Sequence, residues 1–289
     1  MRSRIAVLAL LALALTSGFV EPGLAQSWKT VAKSRQLRGQ DFLDVKIHYA
    51  VGRFELGQGP DRLLYRLNST YDEDAFRLTS SYLETRGRGS LRIDIEGHDE
   101  VDLGGIDDYD FEAGKLRVDL TGSTPLALSM KFGAAEARLD LGGLRLQELT
   151  LETGASDTHV RFSERNPEHA EHCTFKAGAA QFRVDDLGNS RCRRISVSGG
   201  VGTLSLDFSG DWDHDATADI NVGLGTIDIS LPAELGVRVE RSTFLMSFDA
   251  PGFEKQDGGV WLSRNWDTAE HHLLLSVSGA LGGIKIVRS

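Results

Sequence analysis

The sequence predicts an all-β protein, a parallel β-solenoid with coils of about 21–24 residues behind a β-rich N-terminal portion. Three observations carry that expectation. One eight-residue template recurs along the chain, apolar residues alternate with polar ones around each copy, and Gly is abundant at 32 residues while Pro is scarce at 6. Alternation with period two, rich in Val, Ile, Leu and Thr, marks strands buried on one face.

The first 25 residues carry Arg2 and Arg4 ahead of an apolar run from Ile5 to Leu15, then Gly23 and Ala25. This is the pattern of a secretory signal peptide cleaved after Ala25. An apolar run of 11 residues is short against the roughly 20 needed to span a bilayer. The expected mature protein is exported, periplasmic or extracellular, with no integral membrane segment. Residues 26–110 form the β-rich N-terminal portion, in which "VGRFELG" from Val51, "RLLYRLNSTY", "FRLTSSYL" and "GSLRIDIEG" read as strands.

Residues 111–289 form the repeat region. The template is a small or apolar residue, Gly or another small residue, any residue, and then apolar residues at alternate positions. It begins at Ala113, Ala134, Ala155, Ala179, Val201, Leu224 and Leu281. Five consecutive copies follow a glycine: Gly133, Gly154, Gly178, Gly200 and Gly223. The spacings from Ala113 to Leu224 are 21, 21, 24, 22 and 23 residues, a structural-repeat period. Each glycine also ends a short alternating segment such as "LTLET" or "ISVSG", so the unit reads as strand, glycine turn, strand, wider corner. Leu139, Val160, Val184, Leu204 and Ile227 are expected to stack on one inner wall. An antiparallel sandwich of hairpins has a similar unit length, but only stacking of like positions requires the regular period. After Leu231 the period lapses, which predicts a modified coil with a protruding loop at "APGFEKQDGG" and a terminal coil at "LLLSVSGALGGIKIVRS". The Gly-x-Gly of Gly223 and Gly225 is followed by a strand and has siblings at regular intervals, unlike a phosphate loop that opens a helix.

A formal charge of −10 makes nucleic acid and anionic membranes poor partners. Cys173 and Cys192, the chain's two cysteines, either pair in an oxidising compartment or are separately buried thiols.

The strings "VGRFELG", "LLYRLNSTYDEDAFRLTSSYLETRGRGSLRIDI", "LDLGGLRLQELTLETGASDTHVRF", "SVSGGVGTLSLDFSG" and "INVGLGTIDISLP" resemble bacterial exported proteins with the toast-rack N-terminal domain, together with LiaF-like cell-wall-stress and adhesin β-solenoids. The resemblance implies a non-enzymatic envelope protein that is a scaffold, an adhesin or an accessory to stress sensing, with an envelope protein or glycan as partner. It carries no catalytic residues and no cofactor. LiaF-type proteins have membrane helices before this domain, whereas this chain has the signal-like segment alone.

Several residue groups have the chemistry of a site. His169, His172 and Cys173 offer metal ligands, yet lack a second ligand pair at a zinc spacing. Asp211, Asp213, Asp215 and Asp219 offer oxygens for calcium, but an EF-hand counted from Asp211 would need Gly and Glu where Ala216 and Val222 stand. Asp107, Asp108 and Asp110 form an acidic run. Each group also reads as a polar corner facing water. Trp261 and Trp266 are either a sticky surface or a cap on the core. The outward positions Arg138, Asp140, His159, Arg161, Arg183, Asp185, Ser205, Asp207 and Asp228 are charged and mixed. A β-helical polysaccharide lyase or hydrolase, or a calcium-dependent glycan-binding module, is the alternative to a scaffold, and nothing in the pattern nominates its site.

Overall fold

The computed structural model describes residues 27–98 and 114–289. The signal-like segment and the acidic run Asp107–Asp110 lie outside the described residues. The strands are β1 (Trp28–Gln36), β2 (Phe42–Gln58), β3 (Leu63–Asp72), β4 (Phe76–Thr85), β5 (Arg88–Gly97), β6 (Gly114–Leu120), β7 (Leu126–Asp140), β8 (Leu146–Arg161), β9 (Ala170–Asp185), β10 (Cys192–Asp207), β11 (Ala216–Leu231), β12 (Gly236–Asp249), β13 (Phe253–Lys255), β14 (Val260–Ser263) and β15 (His272–Arg288). No α-helix occurs among the described residues. The protein is all-β, a 15-stranded and largely parallel sheet ordered β1-β3-β6-β2-β7-β8-β9-β10-β11-β15-β12-β14-β13, with β4 and β5 branching from β2.

The parallel part stacks the sequence repeat upon itself. Val51, Ala134, Ala155, Ala179, Val201, Leu224, Leu281 and Leu245 pair in succession across β2, β7, β8, β9, β10, β11, β15 and β12. Parallel pairing excludes the sandwich of hairpins for these strands. It also corrects four expectations. The two halves of each unit are one continuous strand, not two strands around a turn. In β8, Leu149, Leu151 and Thr153 point inward, and beyond Gly154 and Ala155 the inward set becomes Ser156, Thr158 and Val160. Side chains alternate along a strand, so this one-residue change of phase bends the strand without ending it.

The inner wall is likewise two rows instead of one. Ala137, Thr158, Phe182, Leu204, Ile227 and Ile284 form one, and Leu139, Val160, Val184, Leu206, Ile229 and Ile286 form the next. The copy beginning at Ala113 does not lie on the Ala134 copy: β6 pairs with β2, and β2 separates it from β7. Finally, β15 is not terminal. It inserts between β11 and β12, leaving β12 and the β13–β14 hairpin at the end of the sheet.

A first-arm row, Val45–Leu128–Leu149–Cys173–Ile195–Ala218–Leu275–Val239, is buried throughout. One core cluster runs from Leu43 to Ile286, each large side chain contributing roughly 1.5–3 kcal/mol. The bend is where backbones come closest. A Cβ on Gly178 would lie 2.8 Å from the Gly154 carbonyl oxygen, and one on Gly154 2.7 Å from that of Gly133.

Candidate interaction surface

Between the bend and the end of each strand, alternation sends every second side chain to solvent. Register aligns these as Arg138–His159–Arg183–Ser205–Asp228–Lys285, with Asp140–Arg161–Asp185 and Asp207–Ser230 at the strand ends. The expected outward residues therefore share one face. At its centre an open depression of about 460 Å³ is lined by Glu136, Arg138, Asp157, His159, Gln181 and Arg183, among others.

The N-terminal half of this face is a chain of ion pairs. Glu55 accepts from Lys115 at 2.6 Å and Arg117 at 3.2 Å, and Glu136 from Arg53 at 3.3 Å and Arg138 at 2.5 Å. Asp185 takes Arg183 at 2.8 Å and His159 at 2.7 Å. Burial pushes the Asp185 carboxyl up, but hydrogen bonds from Arg183 and His159 outweigh it and hold the group below the usual carboxylate range. The hydrogen bond from Lys115 lowers Glu55, against burial. Towards the C-terminus hydroxyls of Thr203, Ser205 and Thr226 stand among Asp207, Asp228 and Lys285, and the Thr203 and Thr226 hydroxyls are 3.4 Å apart.

The wide corners hold what sequence reasoning missed. Asn166 is 1% exposed. Its Nδ2 donates to the carbonyls of Leu146 at 2.8 Å and Ser190 at 3.1 Å, and its Oδ1 accepts from the N–H groups of Leu146 and Glu168, both at 3.1 Å. One turn further, Asn189 Nδ2 donates to the Phe162 carbonyl at 3.0 Å and its Oδ1 accepts from the Asp211 N–H at 3.0 Å. The signal was present as "ERNPEH" and "LGNSR", Asn at like places in successive corners.

The same corners regroup the metal-ligand candidates. His172 leaves the cluster, pointing outward to accept from Arg194 Nε at 2.9 Å. His169 meets Asp213 and His214, with ligand atoms within 4.8 Å of one another. Arg191 has already engaged these donors, its Nη2 lying 2.5 Å from His169 Nε2 and 2.7 Å from Asp213 Oδ2. Arg165 and His214 also bond Asp213. Burial raises the Asp213 carboxyl, yet hydrogen bonds from Arg191 and His214 override it and drive the group far below the carboxylate range. Burial, helped by the Arg191 charge, lowers His169. A metal ion would have to displace a guanidinium. The remaining acids do not converge: Asp215 accepts from the His272 N–H at 2.8 Å, while Asp219 faces outward on β11. A second triad, His48, Asp94 and Glu96, spans β2 and β5. His48 is in register with Asp94, and its Nδ1 lies 3.4 Å from Glu96 Oε1 at the exposed rim of the sheet.

Cys173 and Cys192 are joined by a disulfide with Cα atoms 6.1 Å apart, tying β9 to β10 inside the core. Trp261 packs on Phe248 at 5.1 Å, and Trp266 meets His272 edge-on at 4.6 Å. Trp261 thus covers the end of the core. The bend row grows from Ala134, Ala155 and Ala179 to Val201, Leu224, Leu281 and Leu245, the last four exposed to solvent.

Residues 25–185, from β1 to β9, match the family model of the N-terminal domain of toast_rack, DUF2154. The chain belongs to this family. This toast-rack chain is also similar to solved structures. A putative cell adhesion protein from Clostridium sporogenes is 16% identical, with 91% of this chain and 100% of that one covered and a TM-score of 0.49. A putative adhesin from Bacteroides fragilis is 11% identical over 90% of this chain and 97% of that one, with a TM-score of 0.32. A putative lipid binding protein from Parabacteroides distasonis is 12% identical over 89% and 96%, again with a TM-score of 0.32. No curated protein matches the toast-rack chain significantly.

Proposed function

We propose that the protein is a non-enzymatic, exported cell-envelope scaffold or adhesin whose stacked strands wind as a β-solenoid and bind an envelope protein or glycan. The observation that carries this reading is the outward face of β7 to β11 and β15, where one register aligns charged and hydroxyl side chains over neighbouring parallel strands. A stacked-repeat protein offers such extended surfaces for recognition. The carboxylates of its N-terminal half are held by arginine, lysine and histidine, which suits a rigid recognition face better than proton transfer. The disulfide supports export, because such bonds persist in oxidising compartments.

The test is binding of the purified exported chain to envelope polysaccharides and cross-linking in the native envelope, with Arg183→Glu and Ser205→Arg as face variants. Capture that both variants reduce at least tenfold supports the reading. Capture unaffected by either, or bond cleavage in a bound polysaccharide, overturns it.

A further inference from the structure

The sheet has a second kind of surface, the free edge of β12. β14 covers Arg238 to Glu240 on its outer side, but from Arg241 to Asp249 β12 has no outer strand among the described residues. Within that edge, Ser242 to Phe248 reads Ser-Thr-Phe-Leu-Met-Ser-Phe, with neither charge nor proline. Phe244 is 82% exposed and Leu245 61%, and Leu245 ends the exposed row Val201–Leu224–Leu281. An uncharged segment of this length with high β-propensity is the kind that adds a strand. The other outer edges are guarded: β1 carries Lys29, Lys33 and Arg35, β4 carries Arg77 and Glu84, and β13 contains Glu254 and Lys255 in three residues.

We infer that this edge pairs antiparallel with the same edge of a second copy of the chain, about a two-fold axis at Leu245. The strand fits itself. β12 pairs with β15 through Thr243 and Leu245 but skips Phe244, so the bend falls at the axis and each arm faces the other arm of the second copy. Thr243 then meets Met246 of the second copy, and Ser242 meets its Ser247. The edge's cation, Arg241, meets the second copy's Phe248 on the inner face, the ring a guanidinium already lies over within one chain, and this happens twice. Pairing of like with like closes at two copies. The far end of the parallel stack offers no equivalent edge, since β2 is flanked by β7 on one side and by β5 and β6 on the other. This association goes beyond the binding function, and its test needs no ligand.

Sedimentation of the full exported chain over a concentration series should show a reversible dimer. Leu245→Lys, at an exposed position, should raise its dissociation constant at least tenfold with an unchanged circular dichroism spectrum. Leu245→Cys should give a covalent dimer on mild oxidation, because the native cysteines are already paired. Leu83→Cys, 70% exposed on β4, should not. A monomer at every concentration, a dimer indifferent to Leu245→Lys, equal cross-linking by both cysteine variants or growth into longer oligomers would overturn the inference. So would a monomer that takes up an extended peptide or phospholipid vesicles through Phe244 and Leu245.

Discussion

Substituting Gly225 by Ala tests how the bend is built. Gly225 has φ +140°, and a Cβ placed there would lie 1.9 Å from the Gly202 carbonyl oxygen and 2.9 Å from its carbon. The first effect is conformational, about 1–3 kcal/mol for a backbone region that non-glycine residues avoid. The second is a backbone clash that only movement of β10 against β11 relieves, about 1–3 kcal/mol by the scale of overpacked cores. Stiffening of the unfolded chain returns about 0.4–1 kcal/mol. The net expectation is a loss of about 1–5.5 kcal/mol, and at 2–4 °C per kcal/mol a melting point lower by roughly 2–22 °C. Gly199→Ala is the control: its nearest neighbour is a methyl of Val222 at 3.3 Å, and its φ is outside the left-handed region. That variant should stay within about 1 kcal/mol of the parent, the range of a strand glycine replaced by alanine. Both are read by urea unfolding followed by circular dichroism. A Gly225→Ala protein within about 0.5 kcal/mol of the parent, inside the scatter of neutral surface substitutions, would refute the close-approach account of the bend.

Asn166→Ala strips four hydrogen bonds from backbone groups at a buried corner and should lower stability by about 2–4 kcal/mol, measurable by the same unfolding experiment. Cys173→Ala with Cys192→Ala removes a crosslink spanning 19 residues and should lower stability by about 3 kcal/mol; thiol titration of the folded parent should find no reactive cysteine. Stability should also fall on acidification in two windows. His169 is lowered from 6.5, so the unfolded chain takes up its proton first and stability declines as pH drops below about 6.5 until the folded imidazole also titrates. Asp213 is lowered from 3.8, so its contribution is complete above about 3.8 and is lost below it. Unfolding midpoints across this range check both, and His169→Gln should flatten the upper window alone.

The faces of the strands and the equivalence of the repeats were legible in the sequence because both depend on local pattern, whereas the continuity of each unit's two halves through the bend was not. Alternation defines a strand's faces, and the recurrence of Gly133, Gly154, Gly178, Gly200 and Gly223 reveals which strands are equivalent. The order in which equivalents stack was only partly legible. β15 carries the template at Leu281 and fits beside either β11 or β12, and periodicity does not distinguish a strand at the end of the sheet from one inserted before it. The β6 copy has the same ambiguity, because its spacing to Ala134 equals the true period although its neighbour is β2. At the corners, His169 and Asp213 lie two repeats apart with Arg191 in the corner between them, so their meeting depends on the registers of β9 with β10 and of β10 with β11 and not on any local motif. That Gly225 opens a strand and not a phosphate loop is legible from the pattern, whereas its positive φ is not, because Ala135, Ser156 and Ala180 occupy equivalent places without it.

A stack in which every layer resembles the last has no inherent end, so its length must be written into the rows. The inward row Ile47–Met130–Leu151–Phe175–Val197–Ile220–Val277 is apolar until β12, where its next member is Arg241. A guanidinium cannot serve as the floor for another apolar layer without a costly loss of hydration. It lies instead over the Phe248 ring at 5.2 Å, and Trp261 covers Phe248 from the β14 side. The core is thus closed by side chains while the β12 backbone beyond Glu240 is not, and these are separate physical problems: Arg241 ends the apolar interior, but only another strand satisfies the outward amide groups as a strand does. That separation is why the end of the core and the uncharged edge at Phe244 and Leu245 coexist on one strand, and why association through that edge leaves the interior undisturbed.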